Sequence, residues 1–216
     1  LKSCSIGRWA YKFSHKIYQV YNASRKVRRL HRHGYEALRR LHSTMLANNI
    51  QYYCDAGTLL GIVRDNGFIK HDDDIDIAIM PDTSEPKTVL GAFLDGGFSL
   101  VHGFKYGDKT TEFTVRDVSG ITIDVFFHRY VPGDDSRVYQ IFMRWYPDRK
   151  YPDTMANNAL RFNFVAPQGI KAIVVNSVET YIPTNAEDVL DSEYGPWRKP
   201  DPHFKSDSLK YEELPE

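Results

Sequence analysis

Five consecutive residues set the chemistry open to this chain: Asp72-Asp73-Asp74-Ile75-Asp76. In an extended segment, alternate side chains share a face. A strand beginning near Asp72 would turn Asp72, Asp74 and Asp76 to one side, and Ile75, Ile77 and Ile79 to the other, into a core. Carboxylates crowded on one edge repel. A hard divalent cation such as Mg²⁺ or Mn²⁺, which prefers oxygen ligands, removes that cost. A bare acidic run is more often a solvated loop. Two features weigh against that here. Asp76 lies between isoleucines, where an unpaired charge is expensive. A small-residue turn, Gly57-Thr58, also stands upstream, between an aromatic strand and an apolar helix whose first N–H groups suit a phosphate.

Around this core stand further candidates. Gly57 lets the backbone approach a phosphate, and Thr58 adds a hydroxyl at the helix start; a tight turn and a helix cap are the plain alternatives. Arg64, two turns into the helix, is placed to reach diphosphate oxygens or to form a surface ion pair. Asp72 is a further contact on the same edge as Asp74 and Asp76, and Lys70 and His71 flank the run.

The block Gly57-Thr58-Leu59-Leu60-Gly61, Arg64, Gly67-Phe68-Ile69 and Asp72-Asp73-Asp74-Ile75-Asp76-Ile77 resembles the signature of the LicD family. That family includes bacterial phosphocholine transferases and the fukutin-related ribitol-phosphate transferases. The tryptophan that often precedes its aspartates is His71 here. The resemblance is dense at this block and sparse over the rest of residues 51–200, where the Tyr181–Leu190 and Tyr194-Gly195-Pro196-Trp197 segments are similar to the family's closing part. It implies an α+β fold, a nucleotidyltransferase-type mixed sheet flanked by helices. It also implies a third carboxylate on a strand beside the Asp-x-Asp strand. Asp124, alone in the apolar run Ile121–Phe127, is the best match; an Asp paired to Arg or Lys is the alternative. By this resemblance Asp74, Asp76 and Asp124 hold Mg²⁺ or Mn²⁺, and a phospho-alcohol of the phosphocholine, ribitol-phosphate or glycerol-phosphate type passes from a CDP-alcohol to a hydroxyl of a glycan or lipid-linked glycan. A nucleotidyltransferase using an NTP and a non-catalytic nucleotide-binding module are the rival readings. A choline donor would call for an aromatic cage, for which Tyr52, Tyr53, Tyr106, Trp145 and Tyr146 are candidates.

The elements that must position these residues follow from periodicity and punctuation. The chain has 216 residues, 42% of them apolar, enough for one globular catalytic domain. Twenty-eight basic residues balance twenty-eight acidic ones, which argues against a nucleic-acid binder. Cys4 and Cys54 provide neither a disulfide framework nor metal-ligand spacing, and Cys54 reads as a packed thiol. No apolar run of ~18 residues exists, so no membrane-spanning helix is expected. The chain opens on Leu1, which leaves room for an upstream segment. A cytoplasmic location is expected, with a lumenal one left open.

Three regions are expected: an N-terminal helical extension (1–48), a catalytic domain (49–200) and a polar tail (201–216). The extension reads as two helices, about Gly7–Leu30 and Gly34–Asn48. The first carries Trp9, Phe13, Ile17, Val20 and Val27 on one face, with Lys and Arg opposite. That pattern, which includes Lys26, suits packing on the domain, peripheral contact with an anionic membrane or the holding of a phosphorylated acceptor. The second should bury Tyr35, Leu38, Leu41, Met45 and Leu46. Strands are expected at Ile50–Cys54, Phe98–Phe104, Glu112–Asp117, Ile121–Phe127, Phe162–Ala166 and Ile173–Val175. Helices are expected at Thr58–Asp65 and Pro86–Asp95, with a short acidic one near 186–190. The aromatic segment Phe142–Tyr151, with Arg144, Trp145, Arg149 and Lys150, is a candidate acceptor groove.

Overall fold

The computed structural model describes residues 4–143, 159–201 and 211–214, and within these the side chains of all but residues 4–22, 143 and 213. The proposed acceptor groove from Arg144 onward and most of the tail lie outside the described residues.

The order of elements is α1 (Cys4–Ala47), β1 (Tyr52–Cys54), α2 (Ala56–Asp65), β2 (Ile75–Ile79), α3 (Pro86–Asp95), β3 (Ser99–Tyr106), β4 (Lys109–Arg116) and β5 (Thr122–Phe127). Then come β6 (Arg129–Val131), β7 (Asp134–Met143), β8 (Ala159–Val165), β9 (Ile170–Val175), β10 (Val178–Pro183), α4 (Ala186–Tyr194) and β11 (Glu212–Glu213). The central sheet has the order β1-β2-β5-β4-β3. Within it β2 and β5 run parallel and the other neighbours antiparallel, so the sheet is mixed and the class is α+β, as expected. A four-stranded sheet β11-β8-β7-β6 and a β9–β10 hairpin complete the fold.

The register of β2 on β5 follows from burial. Ile75, Ile77 and Ile79 pair with Ile123, Val125 and Phe127, all turned into the main core. A slip of one residue would put aspartate there instead. The opposite face carries Asp76 and Asp124 at one end and a small apolar cluster, Tyr53, Ala78 and Phe126, further along.

Three expectations change. The N-terminal extension is one continuous helix, because nothing in His31-Arg32-His33-Gly34 breaks it. Gly34 is a contact glycine: a Cβ there would sit 2.8 Å from the Phe68 ring and 2.9 Å from Leu30. The helix accepts the intrinsic cost of an interior glycine, about 1 kcal/mol, so that Phe68 can pack against its backbone. Leu46 is exposed, while Leu30, Ala37 and His42 join Leu38, Leu41 and Met45 in the interior. The apolar face read at Trp9, Phe13, Ile17 and Val20 falls on side chains outside the described set. Lastly β2 begins at Ile75, so Asp72 to Asp74 lie in an irregular segment before the strand rather than in its first residues; they follow a turn at Lys70-His71, where Asp72 N–H donates to the Ile69 carbonyl at 3.1 Å.

Several local readings stand. Asn49 has φ 54° and ends α1, and Gly97, at φ 84°, follows α3. Cys54 is buried, its thiol pushed up to about 12 by desolvation. β6, β7 and β10 were not anticipated: their sequences mix polar and apolar residues, and pairing comes from the neighbouring strand rather than from a strong period of their own.

Candidate active site

The carboxylates meet where β2 and β5 run side by side. Asp76 and Asp124 are direct cross-strand partners, and in a parallel ladder such partners project from the same face. Asp74 sits immediately before β2, and Asp72 reaches the same place from the irregular segment. All four stay partly exposed, so solvent and ligands have access.

Gly57, the second residue of α2, lies against this group. A Cβ on Gly57 would stand 3.1 Å from Asp72 Oδ2 and 3.3 Å from Asp76 Oδ2. The missing side chain therefore opens the space between the helix N-terminus and the acids. Thr58 has a different role from the expected phosphate contact. It is fully buried, and its Oγ1 accepts from the Asp76 N–H at 2.9 Å. It ties α2 to the start of β2. Asp55 N–H adds a second tie, to the Asp76 carbonyl at 3.0 Å. Arg64 forms a two-pronged ion pair with Asp65, at 3.0 and 2.7 Å, and lies within electrostatic reach of Asp72.

The electrostatics are those of a site short of positive charge. Burial pushes Asp74 up to about 7, and Asp124, Asp73 and Asp72 push it the same way. Asp72 is pushed up to about 6, again chiefly by burial. Asp76 is held well above the usual carboxylate range by desolvation, then by Asp74 and Asp124. Asp124 is raised by burial, partly offset by a short hydrogen bond donated by Thr114 Oγ1. Among the described residues no three acidic, His or Cys side chains stand, as placed, close enough together to hold a metal ion. The donor set is nonetheless all oxygen, mutually repelling and solvent-accessible, and Asp72 Oδ2 is a buried acceptor with no partner. These residues fit a hard divalent cation.

Sequence reasoning missed Thr114, His102, Glu112, Asp55 and His128, and gave Lys26 and Tyr53 other roles. Thr114 on β4 holds Asp124, and its Oγ1 lies 3.0 Å from His102 Nε2 on β3. Glu112, two residues along β4, faces Asp124 electrostatically and is pushed up to about 8 by burial. Lys26 of α1 lies 3.5 Å from Asp73. Beneath α2, Tyr53 Oη is 2.7 Å from His128 Nδ1, and Asp55 Oδ2 is 3.3 Å from His128 Nε2. Burial drives His128 down to about 3 and Asp55 up to about 7, so this layer favours neutral partners. Each residue is unremarkable in one dimension; only alternation along β4, placing Glu112 and Thr114 on one face, was a usable signal. Among the cage candidates, Tyr52 and Tyr53 are fully buried and cannot face a ligand; Trp145 and Tyr146 lie outside the described residues.

Known proteins resemble this chain across the region that carries the carboxylates of the site. The family model LicD/FKTN/FKRP, nucleotidyltransferase domain, matches residues 49–167, more than half of the chain. The chain belongs to this family. An uncharacterized protein of Rickettsia typhi is 28% identical over 170 residues, covering 76% of this chain and 46% of that protein. One from Rickettsia prowazekii is 37% identical over 73 residues, 33% of this chain and 27% of its own length. The mouse ribitol-5-phosphate transferase FKTN is 25% identical over 118 residues, 52% of this chain and 25% of FKTN. The chain thus spans less than half the length of these relatives. Among the described residues no helix is long and apolar enough to cross a membrane.

Proposed function

We propose that this chain is a metal-dependent transferase. It moves a phospho-alcohol of the phosphocholine, ribitol-phosphate or glycerol-phosphate type from a CDP-alcohol to a hydroxyl of a glycan or lipid-linked glycan. The observation that carries the reading is the cross-strand pairing of Asp76 with Asp124 beside Asp74, next to a helix start cleared by Gly57. The FKTN likeness favours a phospho-alcohol over a nucleotidyl group.

Asp74, Asp76 and Asp124 would hold Mg²⁺ or Mn²⁺, which when bound neutralises phosphate charge and that of the departing group. Gly57 leaves room for the diphosphate at the N-terminal end of α2. The acceptor oxygen bonds to the distal phosphorus, the bond to the proximal phosphate breaks, and CMP leaves with the bonding pair. The acceptor's proton passes to a carboxylate. Asp124 is oriented for this by Thr114. Asp72 and Arg64 border the cluster as substrate contacts.

A panel of CDP-choline, CDP-ribitol and CDP-glycerol with Mg²⁺ or Mn²⁺ and candidate glycans, scored for CMP release, tests the proposal. Release from one donor that stops in Asp124→Asn supports it. Release of pyrophosphate from NTPs, with CDP-alcohols untouched, would favour the nucleotidyltransferase reading instead.

A further inference from the structure

The residues matched by the family model begin at 49, yet α1 reaches the carboxylate site. Two contacts anchor it. Arg40 grips the buried Asp117 with two 2.7 Å hydrogen bonds, and Arg29 donates to the Gly120 carbonyl at 2.9 Å. Both anchors hold α1 to the turn between β4 and β5, the strand that carries Asp124. One turn before Arg29 and Leu30, Lys26 projects its ammonium to within 3.5 Å of Asp73 Oδ2. Lys26 is half exposed, so its outer side is open to solvent. Gly57 meets the acids through Asp72 and Asp76; Lys26 meets them through Asp73 and acts electrostatically on Asp74 and Asp124.

We propose that Lys26 of the N-terminal helix is a phosphate-binding residue of the active site, which leaves Asp73 to contact the donor diphosphate. This rests on the function proposed above. In the free protein the Lys26 ammonium partly offsets the acidic cluster. A donor diphosphate drawn to that cluster by a divalent cation carries one negative charge on each phosphate and offers Lys26 several anionic oxygens, whereas one exposed lysine–aspartate pair contributes little. The helix outside the matched domain then belongs to the catalytic unit.

The test is calorimetric titration of the full chain with CDP in the presence of Mn²⁺, with cytidine as the phosphate-free control. Lys26→Met should weaken CDP binding about tenfold and leave cytidine unaffected, while Lys26→Arg stays within about threefold of the original. Asp73→Asn separates a direct contact from an indirect one. It frees Lys26, so CDP should bind as tightly or more tightly. Weakening by Asp73→Asn to the extent seen with Lys26→Met would mean that the ion pair matters and the phosphate contact does not, and would overturn the inference. So would CDP binding unchanged in Lys26→Met but lost in Asp76→Asn, an outcome that leaves the proposed function standing. No Mn²⁺-dependent CDP binding by the unaltered chain would overturn both.

Discussion

Asp74→Asn should stabilise the protein while abolishing its turnover. Burial and three neighbouring aspartates raise the Asp74 carboxyl from 3.8 to about 7. At ~1.4 kcal/mol per pH unit, holding that group ionised in the fold costs about 4 kcal/mol relative to the unfolded chain. The folded carboxyl keeps its proton to higher pH than the unfolded one. The native state therefore binds more protons between about pH 4 and pH 7, and stability falls as pH rises through that window and levels off above it. At pH 5.5 the cost is only about 2 kcal/mol, because Asp74 is still protonated in the fold. Asparagine removes both costs. Partial exposure of Asp74 trims the benefit, leaving at least ~2 kcal/mol at pH 8. For a chain of this size that is a rise in melting temperature of roughly 4–8 °C in EDTA, and a smaller one at pH 5.5. Millimolar Mg²⁺ should then raise the melting temperature of the unaltered protein more than that of the variant, closing the gap. Thermal denaturation at the two pH values, with and without Mg²⁺, measures all four quantities. A variant no more stable than the original at pH 8 in EDTA would refute the electrostatic account of the cluster.

Gly57→Ala should separate function from folding in the same direction. Alanine favours the helix by up to about 1 kcal/mol, but its Cβ would crowd Asp72 and Asp76, so Mn²⁺ affinity should drop while the melting temperature holds or rises. Thr58→Val should cost about 1–3 kcal/mol in urea denaturation, because the Asp76 N–H loses its acceptor in a buried setting. Arg40→Ala should destabilise by roughly 2–4 kcal/mol at neutral pH by leaving Asp117 buried without its charged partner, with only the Ser119 hydrogen bonds remaining. That loss should shrink as pH falls. Burial pushes the Asp117 carboxyl up, but the Arg40 and Ser119 contacts together outweigh it and hold the carboxyl below its ordinary value, so the stability they contribute is present above that value and disappears on protonation.

Much of the fold was legible because its signals are local. The turn at Asn66-Gly67, the stop at Gly96-Gly97, and Pro86 at the start of α3 are fixed by backbone preference alone. The strand Ile75–Ile79 declares itself through alternation, and Asp74 and Asp76 are bound to the start of β2 by chain connectivity. Gly34 misled for the same reason: glycine between two amphipathic stretches looks like a break, and only the Phe68 ring pressed against it explains a continuous helix. β6 and β7 escaped because their pairing partners, rather than their own pattern, make them strands.

Sequence alone therefore determined the acidic motif, the glycine before it and the mixed α/β character, since each depends on neighbours a few residues away. Tertiary structure alone decided which distant groups share the site. Asp124 faces Asp76 because the isoleucines of β2 and the Ile123-Val125-Phe127 face of β5 must interlock in one register. Lys26 arrives because Arg29 and Arg40 bind the far turn of the same sheet. Thr58 turns inward because the Asp76 backbone needs an acceptor there. Such contacts depend on packing energies summed over the whole core, which no single stretch of sequence carries.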